Sequence, residues 1–206
     1  MANQSSSGSK TGIIIGAVGG LVVLLLVAAV MFGNEEIGAE YGTPELVGTS
    51  LPAMPSSGPV DISAAGLLAP EVFGQDYVGN DVSITDDGTA KGIVFLAHWC
   101  PHCQEEVPRV QEWLDNGGGV DGVDLYSVST AANSGRTNHP ASDWLVREGW
   151  TTPLIVDDQS SSVLSAYGRG GFPYWVFLNA DGTVALRTAG QLTIEQLEGF
   201  LNSLEK

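Results

Sequence analysis

Apolar residues fall into one long block near the amino terminus and a series of short runs after residue 90. The block "GIIIGAVGGLVVLLLVAAVMF", Gly12 to Phe32, carries no charge. As a helix it spans roughly 30 Å, enough for the hydrocarbon core of a bilayer. This predicts one transmembrane helix over 12–32, behind a short tail at 1–11. From Gly33 to about Ile62 no period is visible, and "YGTPELVGTSLPAMPSSGPV" is rich in proline, glycine and serine. That composition predicts a flexible linker over 33–62, joined to one folded domain over 63–206.

Within that domain the periods alternate. "DVSITDDGTAKG" predicts a short strand and turn, and "GIVFLAH" a buried strand. In "WCPHCQEEVPRVQEWLDNGGG" the positions Val107, Val110, Gln111 and Leu114 share a helical face, the glycines stop it, and Pro108 is expected to kink it. "VDLYSVST" is a strand, "HPASDWLVREGW" a helix from near Pro140, "TPLIVDD" a strand and "SSSVLSAYGRGG" a short helix. Tyr174–Leu178 and Val184–Arg187 form a hairpin around Asp181-Gly182. Thr193 caps a closing helix with Gln196 as its capping-box partner, and Ile194, Leu197, Leu201 and Leu204 line one face. Alternation followed by a hairpin is the order of an α/β fold, a mixed sheet flanked by helices on both faces.

Charge narrows the setting. Asp and Glu number 24 against 8 Lys and Arg, a net charge of −16. That argues against nucleic acid and against docking on anionic lipid. Lys10 and the α-amino group precede the apolar block, whereas Glu35, Glu36, Glu40 and Glu45 follow it. Positive residues stay inside, so the tail is expected in the cytoplasm and the domain outside it. A cleaved signal peptide ending near Val27-Ala28-Ala29 is the competing reading, but the block is longer than such a region. Gly12, Gly16 and Gly20 have the spacing of close helix contacts, a feature common in membrane helices without dimerisation.

The chain has two cysteines, Cys100 and Cys103, both within "HWCPHCQEEVP". A bridge across two intervening residues closes too short a loop to add much stability, which favours a reactive pair over a staple. His98, Cys100, His102 and Cys103 also offer sulfur and imidazole suited to copper or zinc. A structural zinc site needs a distant second ligand pair, and only His139 is available as a further histidine. No metal and no cofactor is therefore expected.

These pieces together resemble the thioredoxin superfamily. The resemblance is strongest to its membrane-tethered, extracytoplasmic TlpA and ResA branch. It rests on "VFLAHWCPHCQEEVP" and, later in the chain, "GFPYWVFLNADGTV", in an order and at a separation of Cys103 from Pro173 that suit the fold. It covers roughly Leu67 to the end. It implies a thiol–disulfide oxidoreductase acting on exported proteins, with a membrane redox partner. It also implies that Pro173 is cis, that the backbone at Phe172 pairs with a substrate strand, and that Glu106 is the acidic residue after the second cysteine. Two positions depart from the pattern: Val94 stands where thioredoxin has a buried Asp, and Phe172 where the residue is usually small or β-branched.

In such a fold Cys100 would sit exposed at a helix start, where free N–H groups and the helix dipole favour its thiolate. Cys100 is then the attacker, Cys103 resolves the mixed disulfide, and Glu106 shuttles the Cys103 proton. Pro101, His102 and Trp99 are expected to tune the pair. The Pro-His loop resembles that of the oxidase DsbA and pulls toward oxidation, whereas the rest of the resemblance pulls toward reduction. His98 is expected at the surface, Glu105 as a solvated carboxylate, and Tyr174, Trp175 and Phe177 as strand packing. The alternatives are a copper- or zinc-binding metallochaperone-like module on the same cysteines and a redox-inactive binding domain of this fold.

Overall fold

The computed structural model describes residues 40–56 and 58–206. The expected tail at 1–11, transmembrane helix at 12–32 and first part of the linker lie outside the described residues. Among the described residues no helix is long and apolar enough to cross a membrane.

The central sheet has six strands in the order β2 (Val60–Asp61), β9 (Val184–Ala189), β8 (Tyr174–Leu178), β5 (Ala90–Leu96), β6 (Val123–Ser129) and β7 (Leu154–Val156). β5, β6 and β7 run parallel, and the β8–β9 hairpin and β2 pair antiparallel. Four helices connect or close these strands: α1 (Pro101–Asp115), α2 (Ala141–Arg147), α3 (Ser162–Ala166) and α4 (Ile194–Asn202). A crossover helix between parallel strands is required because a tight turn cannot join them. The expected mixed sheet flanked by helices is therefore present.

The period of two along β5 and β8 divides the core between the sheet's faces. Val94, Leu96, Trp175 and Phe177 pack with Val107 and Val110 of α1 and Leu197 and Leu201 of α4. Ile93, Phe95, Tyr174 and Val176 pack on the other face with Val163 and Leu164 of α3. The Asp181-Gly182 turn is as expected, with Gly182 at φ +75°, where a side chain is strained. Thr193 forms the full capping box with Gln196. Pro108 lies inside α1, which runs unbroken from Pro101 to Asp115.

Residues 40–62 differ from the expected linker. β1 (Glu45–Val47) joins β3 (Glu71–Gln75) and β4 (Asp81–Ile84) in a second, antiparallel sheet, and β2 extends the central one. Leu51 is buried, and its N–H donates to the Ala166 carbonyl at 2.7 Å. Asp61 receives the buried Arg187 guanidinium from β9. The physical reason is long-range pairing, which composition does not reveal: a proline-rich segment supplies short edge strands where its N–H groups are not all needed.

Candidate active site

Cys100 is the N-cap of α1, with φ −78° and ψ 120°, and Pro101 occupies the first helical position. Proline suits that position because its N–H would have no helical partner. Both cysteines are free thiols. Cys100 is not exposed as expected; it is 7 % accessible. Trp99 and Phe172 meet edge to face at 5.9 Å beside it, and the Cys100 thiol lies 3.7 Å from the Phe172 carbonyl. Trp99 and Phe172, packed against the core cluster that contains Cys100, account for the covering. The Phe172–Pro173 bond is cis.

The two sulfurs differ sharply in acidity. The Cys103 thiol donates toward Cys100, the largest influence, and with the N–H groups of Cys103 and His102 it draws the Cys100 pKa down to about 6. The nearby His102 charge adds to this, and burial opposes it. Cys103 is pushed strongly upward by the same sulfur contact, by burial, and by the charges of Cys100 and Glu106. His102 and Pro101 are exposed, at the mouth of the site.

Glu106 is 1 % accessible, one turn along α1 from Cys103. Burial raises its pKa, and three donors oppose that shift. Trp175 Nε1–H donates at 2.5 Å to Oε1, and the Leu192 N–H at 2.8 Å and Arg109 at 3.3 Å donate to Oε2. Trp175 is thus more than the strand packing expected of it; Tyr174 and Phe177 are buried as expected. Glu105 is exposed but not merely solvated, since Gln191 donates to it at 2.8 Å.

His98 is fully buried rather than at the surface. Its Nδ1 lies 2.7 Å from the Thr137 carbonyl, and Nε2 accepts the Asn133 N–H at 3.0 Å. That pairing assigns the neutral tautomer with the proton on Nδ1 and leaves no ring nitrogen free for a metal. The same loop accepts the Trp99 indole N–H at the Ala131 carbonyl, 2.7 Å away, and lays Arg136 over the Trp99 ring at 5.3 Å. Ala131, Asn133, Arg136 and Thr137 were not legible as site residues, because no motif marks them and their contacts with the site join distant parts of the sequence. Trp175 carried one usable signal: the period of two puts it on the α1 face of β8.

The Redoxin family profile matches residues 64–201. The chain is 29% identical over 143 residues to the thiol-disulfide oxidoreductase ResA of Geobacillus thermodenitrificans, covering 69% of this chain and 79% of that one. Among solved structures it is similar to StoA from Bacillus subtilis, with 25% identity, a TM-score of 0.51, and coverage of 71% of this chain and 98% of that one. A DsbF homologue from Corynebacterium diphtheriae shares the fold at a TM-score of 0.59 and 20% identity, covering 76% of this chain and all of that one, 100%.

Proposed function

The chain belongs to the Redoxin family and is a thiol–disulfide oxidoreductase that works through a cysteine pair, and from that premise we propose that Cys100 attacks, Cys103 resolves and Glu106 takes the Cys103 proton, in exchange with exported proteins. The Cys100 thiolate attacks one sulfur of a substrate disulfide, and the other sulfur leaves as a thiolate. Cys103 gives its proton to Glu106 and attacks the Cys100 sulfur. The Cys100–Cys103 disulfide forms, the second substrate thiolate leaves, and two electrons have passed to the substrate. The same steps reversed oxidise a substrate dithiol.

The observation that carries this reading is the placement of the pair on α1, with Cys100 at the N-cap beside the free helix-start N–H groups and Cys103 one turn deeper and buried. With a pKa of about 6, Cys100 is largely thiolate at neutral pH, while Cys103 is held as a thiol until its turn. Pro101, His102 and Trp99 tune the attacker. Phe172 and Pro173 form the groove wall, where the Phe172 carbonyl receives a donor from the substrate strand. Residues 12–32 anchor the chain in the membrane, with 1–11 in the cytoplasm and the domain outside, near a membrane redox partner. The uncharged block with Lys10 ahead of it supports that arrangement.

One trapping experiment tests both parts. The full chain with Cys103→Ala is expected to accumulate mixed disulfides with exported proteins, and Cys100→Ala few or none. Protease added to intact cells is expected to digest the trapped adducts. Equal trapping by the two variants would overturn the assignment of roles, and full protection of the adducts would overturn the orientation.

A further inference from the structure

Glu106 has an environment that its place in α1 does not explain. A carboxylate this deeply buried is disfavoured as an anion unless donors replace the lost water. The donors come from three parts of the fold: Arg109 from α1, the Leu192 N–H from the loop ahead of α4, and Trp175 from β8. The indole contact is the shortest at 2.5 Å and has Oε1 to itself, while the other two share Oε2. Trp175 is 1 % accessible and stacks on Phe177 with ring centroids 5.7 Å apart and planes 12° apart, so the N–H is aimed by packing. Such a donor costs little further ordering.

From this geometry we infer that Trp175 is a positioning residue of the exchange reaction: its indole N–H keeps Glu106 ionised and in place, one helical turn from Cys103, to accept the proton that Cys103 must lose. This inference rests on the reading of Glu106 as proton acceptor. Trp175 touches neither sulfur nor substrate in this role; it acts through the carboxylate. The consequence is directional. Without the indole N–H, burial and two donors remain, and the ionised form of Glu106 is less favoured. A higher pH is then needed before Glu106 can accept a proton, so the acid limb of the resolving step moves upward. The titratable or charged groups facing Glu106 among the described residues are Arg109 and Cys103 of α1; β8 and the loop ahead of α4 bring neutral donors.

The reduced protein with an aryl disulfide, 5,5′-dithiobis(2-nitrobenzoate), reports the two steps separately. Cys100 attack releases the first aryl thiolate and leaves a mixed disulfide. Cys103 then gives up its proton, attacks the Cys100 sulfur, and releases the second. Trp175→Phe retains a ring for Phe177 but lacks the donor. Its first phase is expected to be unchanged, and the acid limb of its second phase to lie about one pH unit higher, a loss of about tenfold in rate on that limb. In the wild-type protein the Trp175 indole proton resonance is expected to titrate along the same limb and to lose that titration in Glu106→Gln, a readout that does not depend on the tryptophan variant folding. If Glu106→Gln leaves the second phase and its pH profile unchanged, the reading of Glu106 falls and this inference with it. If Glu106→Gln slows the second phase but Trp175→Phe leaves the limb in place, or slows both phases equally, or the indole resonance does not titrate, the role of Trp175 alone is overturned.

Discussion

His98 stands two positions before Cys100, yet its side chain makes no contact with solvent. Its role follows from its two nitrogens, which join the strand end to the loop carrying Asn133 and Thr137. That arrangement needs a neutral ring, because Nε2 must accept. Burial, the largest cause, lowers the His98 pKa below 6.5; His139 adds to the shift, while the Thr137 carbonyl and Glu40 oppose it. The sign follows from proton binding. Between the folded and unfolded pKa values the unfolded chain binds more protons, so stability rises with pH. This contribution is therefore complete above about 6.5 and is lost as pH falls through that value toward the lower folded pKa. Replacing His98 with Gln keeps one donor and one acceptor but removes the titration. Urea unfolding at a series of pH values from 7.5 to 5 is expected to show the wild type losing stability more steeply than His98→Gln, by up to about 1.4 kcal/mol per pH unit. Parallel slopes would show that His98 does not titrate between the two states. At this scale the sequence was informative where chemistry is local: Cys100, Pro101, His102 and Cys103 lie in one loop, and their order predicts which sulfur starts the helix. The burial of His98 depends on a loop distant in sequence, beyond β6, which local pattern does not contain.

Strands and helices divide along the same line. The runs that became β5, β6 and β8 were legible because each is apolar and bounded by turn residues, and α4 because both its face and its capping box are written within a few positions. β1 and β2 were not, since three and two residues make too short a run to show a period. What orders β2 is a contact with β9, 126 residues away in sequence: Arg187, fully buried, donates from Nε and Nη2 to Asp61 Oδ2, and its Nη1 donates to the Pro52 carbonyl at 2.7 Å. A buried guanidinium without its carboxylate is costly, typically about 3–5 kcal/mol. Asp61→Ala is therefore expected to lower the unfolding free energy by an amount on the order of 3 kcal/mol. Urea denaturation measures it, and a loss below about 1 kcal/mol would mean that solvent reaches Arg187 and that the segment before residue 62 is not fastened to the sheet.

Across the whole molecule the dominant electrostatic fact is imbalance. Of the few cations, Lys91 and Arg187 are buried in ion pairs with Asp87 and Asp61, and Arg109 is engaged by Glu106. They neutralise individual carboxylates and leave the acidic surface largely unopposed, at a net charge of −16 for the chain. Compaction brings those carboxylates closer together, so their repulsion acts against the folded state more than the unfolded one. Salt shortens the reach of that repulsion: the Debye length falls from about 30 Å at 0.01 M to about 3 Å at 1 M. The first distance is comparable to a domain's width, the second to a hydrogen bond. The unfolding midpoint of the domain from residue 40 onward is accordingly expected to rise with sodium chloride, most steeply below about 0.2 M and then level off as the Debye length drops below typical charge separations. Calorimetry at neutral pH across that range measures the effect. The initial steep rise separates screening from the salting-out of apolar surface, which keeps growing with concentration. A midpoint that is flat or falls with salt would mean that the folded surface spaces its carboxylates well enough to escape repulsion, and that the acidity of this chain is not opposed to its stability.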